Sequence, residues 1–403
     1  MRRDSHARGL AEPSHGQIAK QYGPVMHPMQ FTPQRIDRVH RAMQHESVDA
    51  VLVTRKTDVQ YLTGYGSAND SLPVGCVLVE GQQPYLIVSS LQREAMAQES
   101  TIAKVRSFTH VLSEDWYPTH GPGFWACVFE VLKEAGAKNA MLGIQHDALS
   151  MREFDGLKSA LPGAGFKDFS KSLWRLRQIK DAAEIDAIRQ AVRISEIGVR
   201  TALETVVAGK TEAQCSIEIE AAMRGAGAEL RGIRAAVLAG NHARFPFAQP
   251  TATRVNTNEL VVVDITVSHS GYLVEVARTV HAGTPSAAQR KLFDSALAVS
   301  RAVQDLMAPD AKISDAATQA MKMVNSGPPV IQIMQPIGSS VGLDVHEPPY
   351  IVPESKSSLR EGMVFSVHPT VHDSEAGCAK IADVLLITAD GCESLTGVSR
   401  ETL

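Results

Sequence analysis

The sequence predicts two domains, an N-terminal α/β domain built on a mixed sheet and a C-terminal α+β domain. Three observations predict them. Between residues 32 and 173 short β-branched strands alternate with helical stretches, and in the second half an order of two helices and then strands occurs twice. The third is one long apolar hairpin, Glu259 to Val280, that dominates the second half. At 403 residues the chain is too long for one small core and fits two domains of ordinary size. The expected organisation is an extended arm over 1–30, the α/β domain over 31–173 and the second domain over 174–403.

Composition narrows the function classes. The chain is 44% hydrophobic and 21% charged with a formal net charge of −4, which gives no electrostatic pull toward nucleic acid. Cys76, Cys127, Cys215, Cys378 and Cys392 are scattered and odd in number, with no CxxC pair. Neither a disulfide framework nor a thiolate zinc site is suggested, and a reducing cytoplasm is the expected home. No apolar segment follows Arg2 and Arg3, and no stretch approaches the length that spans a bilayer, so no membrane partner is expected.

Taken in order, residues 1 to 30 are rich in His, Gly, Pro, Ser and Gln without periodicity and read as a tail, frayed or tied against a partner subunit. His6, His15 and His27 fit no ligand spacing. Ile36, Val39 and Met43 lie at helical spacing, 49–53 reads as a buried strand, and Tyr61 to Gly66 as a helix end with a glycine stop. Further strands are expected at 75–80, 84–90 and 139–144, and helices at 124–135 and 150–161. No GxGxxG follows a strand and no GxxxxGK[ST] occurs, so no nucleotide signature is present. The domain seam falls at Trp174 to Lys180. Beyond it, Asp181 with Glu184 and Thr211 with Gln214 form capping boxes that open two helices; strands follow at 233–239 and through the hairpin, then helices at 286–307 and 314–324 and strands at 362–368 and 380–388.

The hairpin carries the chemistry. Val261, Val262 and Val263 lead into Asp264, His269 to Gly271 make the turn, and the return strand carries Glu275, so both acids can point into one pocket. An acid in so apolar a run is costly unless it is paired or used. One alone would read as a buried acid satisfied by backbone or by Arg278; two, followed by Ala-Arg-Thr, read as a site.

Six segments in order, RLRQIKDAAEID, LAGNHARFPFAQP, DITVSHSGYLVEVARTV, PIGSSVGLDVHEPP, LREGMVFSVHPTV and KIADVLLITADG, resemble the creatinase, prolidase and methionine aminopeptidase superfamily over residues 32 to 403. The resemblance implies a pita-bread C-terminal domain holding the active site, and a homodimer. It also implies a ligand set of five side chains for two metal ions in the metallopeptidase branch, and this chain keeps part of it. Asp264 stands at the first aspartate position and Glu275 at the second; the ligand histidine of the glycine-rich stretch falls on Ser339, the next glutamate on His368, the last glutamate on Ala382, and the histidine before the hairpin on Phe247. Serine and alanine cannot replace imidazole and carboxylate at a hard dication, and two acids supply too little charge for two ions.

The expectation is therefore a hydrolase, resembling creatinase and ectoine hydrolase, that cleaves an amidine, lactam or amidino C–N bond of a small nitrogen-rich substrate without cofactor or metal. Asp264 and Glu275 would hold the substrate nitrogen, one of them as base or nucleophile, with His368 moving protons. His346 matches the family's substrate-contacting histidine; Asp383 could orient an imidazole, Ser339 and Ser340 could donate to an oxyanion, and Arg244, His242 and Phe247 could wall the pocket. Tyr65 and Asp70 could reach a partner's pocket. Each has a plainer reading: core histidines, a strand-capping Asp383 or one paired with Lys380, a small-residue turn. Two alternatives stand beside the main reading: an Xaa-Pro-type metallopeptidase with one metal ion, held by Asp264, Glu275 and His368, and a non-catalytic binding module.

Overall fold

The computed structural model describes residues 33–66, 72–94, 96, 104–109, 120–245, 247–325 and 331–403. The expected arm over 1–30 and Asp70 lie outside them. The N-terminal domain is a six-stranded mixed sheet, with Val74–Val79 (β2), Ala50–Val53 (β1) and Met141–Ile144 (β5) at its centre. Helices Pro33–Glu46 (α1), Lys56–Thr63 (α2), Pro122–Glu134 (α3) and Met151–Ala160 (α4) accompany it. β1 runs antiparallel to β2 and parallel to β5, the mixture expected from strands alternating with helices. Gly64 ends α2 at φ 73°, the left-handed stop that its sequence position predicts.

Three elements of this half were not anticipated. Strands Lys104–Phe108 (β4) and Gly165–Asp168 (β6) close the sheet at its two edges, and helix Ser170–Gln178 (α5) covers the seam. The edge strands carry Lys and Arg or Gly and Asp, a composition that hides a strand from an apolar-pattern reading and also protects an edge from further pairing.

Glu153, at the third position of α4, shows how polar groups fix this domain. It closes a capping box with Ser150 and accepts from His120 twice, from the backbone N–H and from Nδ1 at 2.7 Å. Burial pushes its carboxyl up, but these bonds outweigh it and hold the pKa down at about 2. A folded-state pKa below the unfolded value stabilises the fold above the unfolded carboxylate range, and that stability is lost as pH falls toward 2. Glu153→Gln is expected to cost about 2 kcal/mol at pH 7, with the gap from wild type closing between about pH 4 and 2 in urea titrations.

In the second domain, the Asp181 and Thr211 capping boxes open helices Ala182–Thr205 (α6) and Glu212–Gly225 (α7), as expected. Strands Arg234–Ala239 (β7), Leu260–His269 (β8) and Tyr272–His281 (β9) form an antiparallel three-stranded sheet. The β8–β9 turn is Ser270 and Gly271, both at positive φ (50° and 78°), as a two-residue hairpin of matching twist requires. Helices Ala287–Asp305 (α8) and Ile313–Asn325 (α9) repeat the two-helix step. Strands Gly338–Ser340 (β11), Val364–Val367 (β13) and Asp383–Ile387 (β16) belong to a five-stranded sheet, and Gly377–Lys380 (β15) to a three-stranded one. One apolar cluster runs from Ile36, Val51 and Leu62 through Leu173 and Ile188 to Val263, Ile265 and Val274, so the hairpin is seated on a core that both domains share. Among the described residues no helix is long and apolar enough to cross a membrane.

Candidate active site and metal centre

Strand geometry puts the two acids together. Glu275 pairs across the hairpin with Thr266, and Asp264 lies two residues from Thr266, so both carboxylates stand on one face in a diagonal arrangement. Glu275 is buried and Asp264 half-buried. The opposite wall comes from β11 and β13. Ser366 on β13 donates its hydroxyl to the Glu275 backbone carbonyl (2.9 Å), and His368, just beyond the strand, is fixed by its backbone N–H on Ile337 (2.8 Å). His346 comes from the loop after β11, with its Nδ1 3.0 Å from the Ser339 hydroxyl and its Nε2 3.9 Å from Glu275 Oε2. The two imidazole rings are 6.0 Å apart.

One ligand atom each from Glu275, His346 and His368 lies within 4.8 Å of the others. Glu275 Oε2 and His368 Nε2 are buried without a hydrogen-bond partner, as is Asp264 Oδ1. Buried polar atoms are normally paired, so orphaned acceptors at one point mark a place for a ligand. Burial keeps His368 below its ordinary pKa, only partly opposed by Glu275, so it is the neutral imidazole at pH 7, the form able to ligate a metal. Two imidazoles and one carboxylate are a fitting donor set for a single divalent transition metal or zinc.

The residue that sequence reasoning missed is Lys380. Its ammonium bridges the two acids, 2.9 Å from Asp264 Oδ2 and 2.5 Å from Glu275 Oε1. Burial opposes a charge on each partner, but the mutual attraction prevails, holding the Glu275 carboxyl well below and the Lys380 ammonium well above their ordinary values. Arg234 adds a second cation, 3.3 Å from Asp264 Oδ2. With a fixed ammonium between the carboxylates, a pair of ions does not fit; one ion at the Glu275, His346 and His368 cluster does. Asp264, expected among the ligands of a single ion, is instead committed to Lys380 and Arg234, and His346 takes its place in the cluster.

Asp264, Glu275, His368, His346 and Ser339 are thus brought together. Among the described residues no hydrogen bond, ion pair or ring contact joins Phe247, Arg244 or Asp383 to them. Phe247 is 77% exposed at φ 62°, and Arg244 lies over the exposed Phe245 ring. Asp383 orients neither imidazole, because Arg278 (2.7 Å) and Arg400 (2.5 Å) occupy its two oxygens and make it an anchor for the C-terminal segment. His242 is held by Glu212 (2.9 Å), the buried Tyr65 hydroxyl accepts from Gln92, and the buried Ser340 hydroxyl accepts from Lys180. Lys380 was legible in one respect: it stands two residues before Ala382, and alternate residues of an extended segment share a face.

Comparison with known proteins corrects the expected chemistry. The description "Metallopeptidase family M24" matches residues 186–389, and "Creatinase/Prolidase N-terminal domain" matches 35–179. The Xaa-Pro dipeptidase of Pyrococcus furiosus is 25% identical over 372 residues, covering 92% of this chain and 99% of the relative. That of Lactobacillus helveticus is 24% identical, covering 91% and 97%. The crystal structure of the prolidase from Pyrococcus horikoshii superposes with a TM-score of 0.79 at 24% identity, covering 92% of this chain and all of the other. The expected cleavage of amidine, lactam or amidino bonds is overturned by relatives named for action on Xaa-Pro dipeptides. The expected absence of a metal cofactor is overturned likewise, by a family described as metallopeptidases and by the donor cluster that the site retains. With a match over just more than half its length, and a two-domain pita-bread architecture to go with it, the chain belongs to metallopeptidase family M24.

Proposed function

We propose that this protein is a peptidase of short Xaa-Pro peptides, dipeptides above all, that uses one divalent cation held by Glu275, His346 and His368. The observation that carries the reading is the convergence of those three donors, two of them with orphaned buried atoms, beside a lysine that excludes a second ion. The cation would supply electrophilic polarisation of the scissile carbonyl. The chain's own residues do the rest. Lys380 keeps the buried Glu275 ionised and ties it to Asp264. The free Asp264 Oδ1 is an acceptor for the substrate's amino group, and the partly exposed Arg234 is a cation for its terminal carboxylate. Ser339 fixes the His346 ring through Nδ1 and leaves Nε2 toward Glu275. The reading includes a homodimer in the cytoplasm, for which size-exclusion chromatography with light scattering gives the assembly.

The test is elemental analysis with a peptide panel. One zinc, manganese or iron per chain is expected, with hydrolysis of Xaa-Pro dipeptides that stops on chelation and returns on adding the metal. Failure to bind any of these ions, or a loaded protein that leaves every Xaa-Pro dipeptide intact, would sink the reading.

A further inference from the structure

We infer that Arg177 is a positioning residue for His346, through which the N-terminal domain sets the affinity of the metal centre. The inference rests on the single-ion reading of the site and adds a control that the donor cluster alone does not contain. Arg177 lies in α5 at the seam, is almost fully buried, and divides its guanidinium between the domains. Nη1 donates to Asp58 of α2 (2.7 Å) and to Thr57 (3.3 Å). Nη2 donates to Asp344 (2.7 Å) and to Glu347. Those two acids flank His346, two residues before it and one after.

The rest of the local bonding has the same direction. The Asp344 backbone N–H donates to Glu347 (3.1 Å), so the loop is closed on itself around His346. Thr57 donates to Asp344 from the N-terminal domain (3.2 Å). Lys180, also buried, lies 3.5 Å from Glu347 and donates to Ser340 (2.9 Å), the neighbour of the serine that fixes the His346 ring. Gln145 holds Asp58 from the far side (2.6 Å). A planar fork can satisfy both domains at once, whereas an ammonium cannot. His346 is the most exposed member of the donor cluster, so it depends most on such support.

A residue that merely glued the domains would lower stability without touching the centre, and this sets the experiment. In the full chain, Arg177→Lys and Asp58→Asn are compared with wild type for Zn2+ affinity by calorimetry and for amide exchange over residues 342–347. Asp344→Asn, whose side chain is 37% exposed, serves where the buried variants do not fold. Zn2+ affinity is expected to fall ten- to a hundredfold, with faster exchange in that loop of the metal-free protein. Asp181→Asn breaks a different junction pair, Asp181 with Arg35 (2.6 Å), which touches no residue of the loop, and is expected to leave both readouts in place. Folded variants with wild-type affinity and exchange would overturn the inference, as would an equal loss in Asp181→Asn. A wild-type protein that takes up no Zn2+ would defeat the single-ion reading, and the exchange comparison would then decide the positioning role by itself.

Discussion

Glu275→Gln is expected to abolish stoichiometric metal binding and to lower kcat/KM on Xaa-Pro dipeptides by about a thousandfold or more. Glu275 is the one anionic member of the donor cluster; its Oε2 is buried without a hydrogen-bond partner and its Oε1 is held by Lys380. The amide keeps the shape of the side chain but removes the charge, and its one NH2 must take one of the two oxygen positions, facing either the Lys380 ammonium or the place of the proposed metal ion. Loss of a group that only supports a ligand costs ten- to a hundredfold in affinity, so removal of the anionic ligand itself sits above that range. Calorimetric titration with Zn2+ or Mn2+, read beside single-turnover assays, checks both halves. Tight one-to-one binding by this variant would show that the cluster is not the metal centre.

The second large effect is expected at Lys380. Lys380→Ala leaves Glu275 buried with no cation in contact and Asp264 with Arg234 only, and breaking a buried ion pair from one side costs about 3–5 kcal/mol. The same change opens space between two carboxylates. Thermal unfolding is therefore expected to become metal-dependent, with millimolar Mn2+ returning much of the lost stability and elemental analysis rising from one ion per chain toward two. In the wild type, excess Mn2+ should add no second equivalent. A variant as stable as wild type in chelator, or a second ion bound with Lys380 intact, would refute the bridging role.

How much of this was legible in the sequence follows from sequence separation. The hairpin was readable because its determinants are local: β-branched alternation fixes the strands, Ser270 and Gly271 fix the turn, and together they fix the register that puts Asp264 and Glu275 on one face. His368 and His346 were found because they fall in segments that resemble family motifs. Lys380 was not, since its charge meets Asp264 across 116 residues and Glu275 across 105, from a strand of another sheet. Counting only the acids left the site short of countercharge and favoured chemistry without a metal; the ammonium supplies what a second ion would. Arg177 escaped notice for the same reason, its partners lying 119 residues before it and 167 and 170 after. Phe247 and Asp383 show the opposite error, motif positions given roles that a solvent-exposed ring and a doubly paired carboxylate do not fill.

The divided guanidinium at the seam also bears on how a substrate gets in. Swinging the two lobes apart would strip a desolvated cation of anions on both sides, and the shared apolar core would be torn open with it. A seam tied in this way resists parting, so a substrate of the proposed peptidase would have to reach the site with both lobes in place.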